Sequence, residues 1–185
     1  MRKVLYVLLI TFAMSTHVNA SEYDMFIGDE DGLSWADFNG PTGKYQNHEI
    51  TTYGVKAGVV NNETRMYISY QYIDAFEDST TRKGEYQTAT INSEAFTEPV
   101  DVFNIFDLYF FVGGHAGAIK INVDAAFGKS DEYGFLYGVQ AGLLAQLSSV
   151  ISLETGYRLS RSNFSDQNTD LNKFQVVYGG INFRF

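Results

Sequence analysis

KFQVVYGGINFRF, Lys173–Phe185, decides how this chain is to be read. Taken at every second residue, Phe185, Phe183, Ile181, Gly179 and Val177 form an uncharged set. The residues between them, Arg184, Asn182, Gly180, Tyr178 and Val176, carry a cation, an amide and a phenol. Successive side chains of a strand point to opposite faces, so the alternation predicts a strand with one apolar and one more polar face. A final aromatic-X-aromatic fits a closing strand whose outer face meets lipid and whose inner face meets a packed or wet lumen. The preceding residues must then supply the other strands.

Working back, seven further stretches carry the same period. They are Glu22–Gly28, His48–Val60, Arg65–Ile73, Tyr86–Thr97, Asp107–Ile121, Tyr133–Gln146 and Val150–Arg161. In the second, Tyr53, Val55, Ala57 and Val59 oppose Thr52, Gly54, Lys56 and Gly58. Asn61-Asn62-Glu63-Thr64 reads as a tight turn. Tyr86–Thr97 is the weakest of the set, and Pro99 ends it. Polar stretches at Asp29–Asn47, Asp74–Glu85, Lys120–Glu132 and Arg161–Asn172 read as loops. The expected architecture is an all-β, eight-stranded antiparallel transmembrane up-and-down barrel. Long loops alternate with shorter turns, and an even strand count puts both termini at the periplasmic end. The outward faces so assigned hold no Asp, Glu, Lys or Arg, as strands facing lipid require.

Composition agrees. Aromatic residues make up 16%, with 13 Tyr and 15 Phe against 2 Pro. There is no cysteine, so no disulfide staples the chain. The first residues read as a secretory signal. Arg2 and Lys3 precede the apolar Val4–Met14, which is too short to span a bilayer, and Val18-Asn19-Ala20 offers a cleavage site. That leaves residues 21–185 as one barrel domain. Removing the signal makes the chain two charges more acidic than the formal −9, which argues against nucleic acid as a partner.

The GGINFRF end, together with LYFFVGGHAGA and SLETGYRLS, resembles the small eight-stranded outer-membrane barrels, the OmpA transmembrane-domain and OmpX/Ail-like group. The resemblance covers essentially all of residues 21–185. It implies a monomer in the bacterial outer membrane, surrounded by lipid and lipopolysaccharide. It also implies an assembly signal at Ile181, Phe183 and Phe185, read by the barrel-assembly machinery. The implied work is envelope stability or attachment to a host-surface ligand through the extracellular loops. No peptidoglycan-binding module is expected after Phe185.

Inward positions collect Asp24, Glu94 and Glu154 with Lys56, Arg158 and Arg184. An eight-stranded barrel is narrow enough for side chains to fill it. Isolated buried ions are costly, so a salt-bridged plug is expected rather than an ion channel. Inward glycines such as Gly138, Gly142 and Gly156 make room for larger neighbours. His115 is the one histidine on a strand interior and is expected to be a hydrogen-bonded lumen residue. Some barrels of this kind acylate or deacylate lipid A with His, Ser and a carboxylate, and His48 with Asp78-Ser79 is similar in type and order. The deacylase His-X-Ser element is missing after His115, so a lipid A acyl enzyme is the minor reading. Asp29-Glu30-Asp31-Gly32 lacks EF-hand spacing, and no metal or cofactor is expected. Trp35, Phe38 and Tyr45 are candidate loop contacts, either anchors for a partner or members of an interfacial aromatic belt.

Overall fold

The computed structural model describes residues 23–40, 43–46, 50–78, 82–125, 128–163, 165–166 and 169–185. In chain order the strands are β1 (Asp24–Gly40), β2 (Gly43–Gln46), β3 (Ile50–Val60), β4 (Thr64–Asp78), β5 (Arg82–Phe96), β6 (Val100–Val102), β7 (Phe106–Ala125), β8 (Gly128–Gln146), β9 (Ile151–Ser162), β10 (Ser165–Asp166) and β11 (Thr169–Arg184). The wall runs β1-β3-β4-β5-β7-β8-β9-β11, and β11 returns to β1, so the sheet closes. Every pairing is antiparallel. The short β2, β6 and β10 pair with β1, β7 and β11. At the seam Met25 N–H donates to Phe185 O (3.0 Å), and Phe185 N–H donates to Met25 O (2.9 Å). The closing strand is therefore held to its last residue. Both ends of the wall lie at the same rim, here called the terminal end.

One face of each strand looks out, and over most of the wall it is apolar. Val55 (62% exposed), Ile68 (65%), Val112 (64%) and Val139 (60%) stand bare on four separate strands. A broad apolar belt of this kind demands hydrocarbon as its solvent. The chain is a transmembrane barrel. The opposite faces meet in the lumen, which is stratified. Phe26, Tyr109, Phe111 and Leu144 are buried at the terminal end, above them come ions and amides, and Ile50, Ile73, Tyr86, Ile119, Leu136, Phe174 and Val176 close the loop end. Closure works because small residues sit where large ones lie across them. A Cβ on Gly156 would come within 2.7 Å of the Tyr178 ring, its register partner on β11.

The structure corrects the expected loops. Asp29–Asn47 is not a loop at its start. β1 continues to Gly40, and β2 returns against it from Gly43. Likewise β4 reaches Asp78, β5 begins at Arg82, β7 reaches Ala125 and β8 begins at Gly128. Arg161–Asn172 is also cut into, by β9, β10 and β11. These arms keep backbone pairing past the apolar belt. A strand standing in water needs no apolar face, so period-two hydrophobicity fades while the ladder goes on. β5, the weakest expectation, is a full strand, and the Pro99 segment is followed by the short hairpin strand β6.

The outward faces are not free of charge either. β1 presents Met25, Ile27, Asp29, Asp31 and Leu33 outward, and both Asp residues are exposed. Reading Asp29 onward as a loop leaves them out of the wall. Their register partners on β3 are Val55 and Tyr53. Pairing of β1 with β11 stops after Gly28↔Asn182 and resumes at Asp31↔Gly179. In the gap, Ile181 N–H donates to Asp29 Oδ1 (2.6 Å).

Candidate functional site

Six ions from five strands meet in the terminal half of the lumen. Lys56 on β3, Arg65 on β4, Glu94 on β5, Glu154 and Arg158 on β9, and Glu30 on β1 are each at most 6% exposed. Arg65 donates from Nε to Glu94 Oε2 (2.7 Å) and from Nη1 to Glu154 Oε2 (2.6 Å). Glu154 Oε1 accepts from Lys56 Nζ, which lies 3.8 Å from Glu30 Oε2. Arg158 grips Glu30 with Nη1 (2.6 Å) and Nη2 (3.2 Å). Arg158 Nε then donates to Gln140 Oε1 (2.7 Å), and Gln140 Nε2 donates to Glu94 Oε1 (2.6 Å). The contacts form a closed ring in which cations and anions alternate, with one amide completing it. Three positive and three negative groups cancel.

Aromatic rings hold the ring of ions in place. The Arg65 guanidinium lies 5.4 Å from the Phe26 centroid, 5.1 Å from Tyr67, 5.6 Å from Phe96 and 5.5 Å from Phe111. Ring faces carry negative quadrupole density that favours a desolvated cation. Arg158 sits over Tyr178 at 5.0 Å. Tyr67 Oη donates to Glu94 Oε1 (2.8 Å), Asn182 Nδ2 donates to Glu154 Oε2 (3.1 Å), and Gln71 donates to Glu30. Nearer the loop end, Asn92 Nδ2 bonds Ser69 Oγ and Thr90 Oγ1, each at 3.0 Å. The apolar layer then covers the polar one. A cavity of about 40 Å³ at the terminal mouth, floored by Arg65, has room for no more than a few waters.

The structure brings Lys56, Glu94, Glu154 and Arg158 together. It does not bring Asp24 and Arg184 to them. Those two pair with each other at the terminal rim, Arg184 Nε to Asp24 Oδ2 at 2.6 Å, with side chains 22% and 54% exposed. They occupy the ends of β11 and β1, below the level the lumen encloses. Their places in the ring are taken by Arg65 and Glu30. Phase could have found both. Arg65 shares its face with Tyr67 and Ser69, and Glu30 shares its face with Phe26 and Gly28.

Trp35 and Phe38 are β1 positions, paired with Gln175 and Leu171 of β11, and Tyr45 is the β2 partner of Phe38. They are strand residues rather than loop residues, because the β1–β11 ladder extends to Asn39. His48 and Ser79 lie outside the described residues. His115 does meet a serine, which linear spacing did not reveal: its Nε2 is 2.8 Å from Ser160 Oγ. Its Nδ1 has no hydrogen-bond partner among the described residues, so no carboxylate orients the imidazole as a triad requires. Phe185, Phe183 and Ile181 all face outward, 66%, 46% and 39% exposed.

No protein-family model matches the chain, and no curated protein matches it. Solved structures do. Neisserial surface protein A aligns at 15% identity over 87% of this chain and 97% of its own, with a TM-score of 0.64. Outer membrane protein H of P. aeruginosa aligns at 28% identity over 88% and 99%, with a TM-score of 0.55. Ail, the attachment invasion locus protein of Yersinia pestis, aligns at 14% identity over 86% and 98%, with a TM-score of 0.51. A closed eight-stranded wall, an apolar exterior and these neighbours agree: the chain has the fold of the small eight-stranded outer-membrane barrels, the group its strand pattern resembles.

Proposed function

We propose that the chain is an outer-membrane structural and surface-binding protein that works through its loop-end arms. The observation that carries this reading is the filled lumen. Among the described residues, a closed ring of ion pairs under a buried apolar layer leaves a solute no route, so binding falls to what projects beyond the wall. The β1–β2, β4–β5, β7–β8 and β9–β11 arms project there, and a pairing ladder gives them more rigidity than free loops have. The Yersinia pestis neighbour is named for attachment and invasion, which supports the same class of work. In this reading residues 1–20 are removed, the termini and short turns face the periplasm, and the arms face outward. The wall sits as a monomer among lipid and lipopolysaccharide. The assembly machinery reads Ile181, Phe183 and Phe185.

The test is attachment of cells expressing the full barrel against cells in which residues 37–46 and 75–84 are replaced by short turns, at matched surface levels. Attachment to a host-cell layer is expected to fall to that of barrel-free cells. Undiminished attachment by the trimmed barrel, or none by the full one, ends the surface-binding reading. Planar bilayers holding the full barrel are expected to stay silent.

A further inference from the structure

The apolar wall is not level around the barrel. On β7 the outward residues Leu108 and Phe110 continue past the terminal mouth into the β6–β7 hairpin. There Val100 pairs with Leu108 and Val102 with Phe106, so all four share the outward face. The tip adds Phe103, 87% exposed, and Ile105, 71% exposed. Phe103 and Asn104 hold φ of 57° and 56°, a two-residue turn that favours Asn and Gly. A phenylalanine in that backbone is strained, and its ring stands bare at the tip. From Tyr109 at the mouth to Ile105 the hairpin extends about 13 Å of strand, at about 3.3 Å per residue.

Across the barrel the deviation is reversed. β1 lies four strands from β7 in either direction. Its outward face turns acidic at Asp29, about 13 Å of strand above Met25 at the rim. An upright barrel would leave Phe103 and Ile105 in water on one side. On the other it would hold two carboxylates among acyl chains. We propose that the barrel sits tilted and that the β6–β7 hairpin is a phospholipid-binding element. Tilting draws the hairpin up until Phe103 and Ile105 lie at the acyl–headgroup boundary of the terminal-side leaflet. The same rotation lowers β1 until Asp29 and Asp31 reach hydrated headgroups. One rotation accounts for two opposed anomalies, and it rests on the transmembrane fold rather than on the surface-binding reading.

The absence of cysteine and the single tryptophan, Trp35, make the test direct. Asp29→Cys and Val112→Cys barrels are placed in phosphatidylethanolamine–phosphatidylglycerol vesicles and exposed on both sides to a charged thiol reagent. Both positions lie at similar depth in an upright barrel. Tilted, residue 29 reacts about tenfold faster or more, because apolar surroundings suppress the thiolate at residue 112. Equal rates overturn the proposal. Should Asp29→Cys fail to fold for want of the Ile181 bond, Asp31→Cys takes its place. In parallel, Phe103→Trp in a Trp35→Phe background is placed in vesicles brominated near the headgroup end of the acyl chains. Its emission is expected to be quenched. Unquenched, water-like emission from the Phe103→Trp barrel overturns the proposal even if residue 29 labels fast, since thinning of the bilayer at the seam would then explain the labelling.

Discussion

Lys56 and Val55 are neighbours in sequence and live under opposite rules. Lys56 is 3% exposed beside Glu154, while Val55 is 62% exposed on the wall. The same alternation repeats at Glu154 and Leu153 and at Arg158 and Tyr157. Neither environment is watery, yet one holds six ions and the other holds almost none. The difference is the availability of partners. In the lumen eight strands converge, so each charge finds an opposite charge within hydrogen-bond reach. On the wall each side chain faces acyl chains, which offer nothing. Charge placement in this barrel follows geometry of convergence, not polarity of the strand.

That comparison is broken most severely by removing one member of the ring. Arg65→Ala strips both Glu94 and Glu154 of a guanidinium and leaves anionic charge uncompensated in a buried site. Loss of one partner from a buried pair costs about 3–5 kcal/mol, so the urea midpoint of the barrel in micelles is expected to fall sharply. Replacing the ring's charges together should cost much less than this single change. If Arg65→Ala unfolds at the parent midpoint, the ring contributes nothing to stability.

The reverse experiment puts a cation on the wall. Val112→Arg has no partner to meet and is expected to cost about 2–4 kcal/mol at mid-depth, read as the same midpoint. Asp31→Asn is the contrast. If β1 is lowered to the interface, that change should move stability by no more than about 1 kcal/mol. A clear gain in stability would instead place Asp31 among the acyl chains.

The same partner rule explains what was legible before the fold was known. The wall phase could be read because lipid tolerates so few residue types, and Val177 to Phe183 already show it. Four of the six ring residues fell out of the complementary phase. Glu30 did not, because its neighbours Asp29 and Asp31 break the apolar alternation and make β1 look like a loop. Arg65 stands at the start of its strand directly after a turn, so the period shown by Tyr67, Ser69 and Gln71 must be carried back one step to reach it. The arms leave no mark in the sequence for a related reason. Hydrophobic alternation reports which face meets lipid or core. It says nothing of backbone pairing that continues in water. Asp24 and Arg184 share the inward phase, yet phase carries no information about depth, and these two sit below the enclosed lumen.

Crowding sharpens the comparison from the steric side. Tyr178 lies across Gly156 and also seats the Arg158 guanidinium. A methyl at residue 156 must displace the phenol ring and with it the cation's seat. Overpacking of this kind costs about 1–3 kcal/mol, so Gly156→Ala is expected to lower the midpoint. Gly114→Ala is the control. It faces outward, its added Cβ would meet no atom nearer than 3.6 Å, and the midpoint is expected to stay.

The smallest effect belongs to the pair at the rim. Arg184 and Asp24 make a 2.6 Å contact, as short as the Arg65–Glu154 contact in the ring, but the Asp24 side chain is 54% exposed. Water can solvate either charge when the other is removed, and salt screens what remains. Asp24→Asn is expected to cost below about 1 kcal/mol, and the cost should vanish at high salt, whereas the penalty for Arg65→Ala should persist there. Two arginine–carboxylate contacts of equal length would then differ several-fold in their worth to the fold. A rim pair as costly to break as the ring, or a ring as salt-sensitive as the rim, would mean that enclosure by the wall does not set the strength of these contacts.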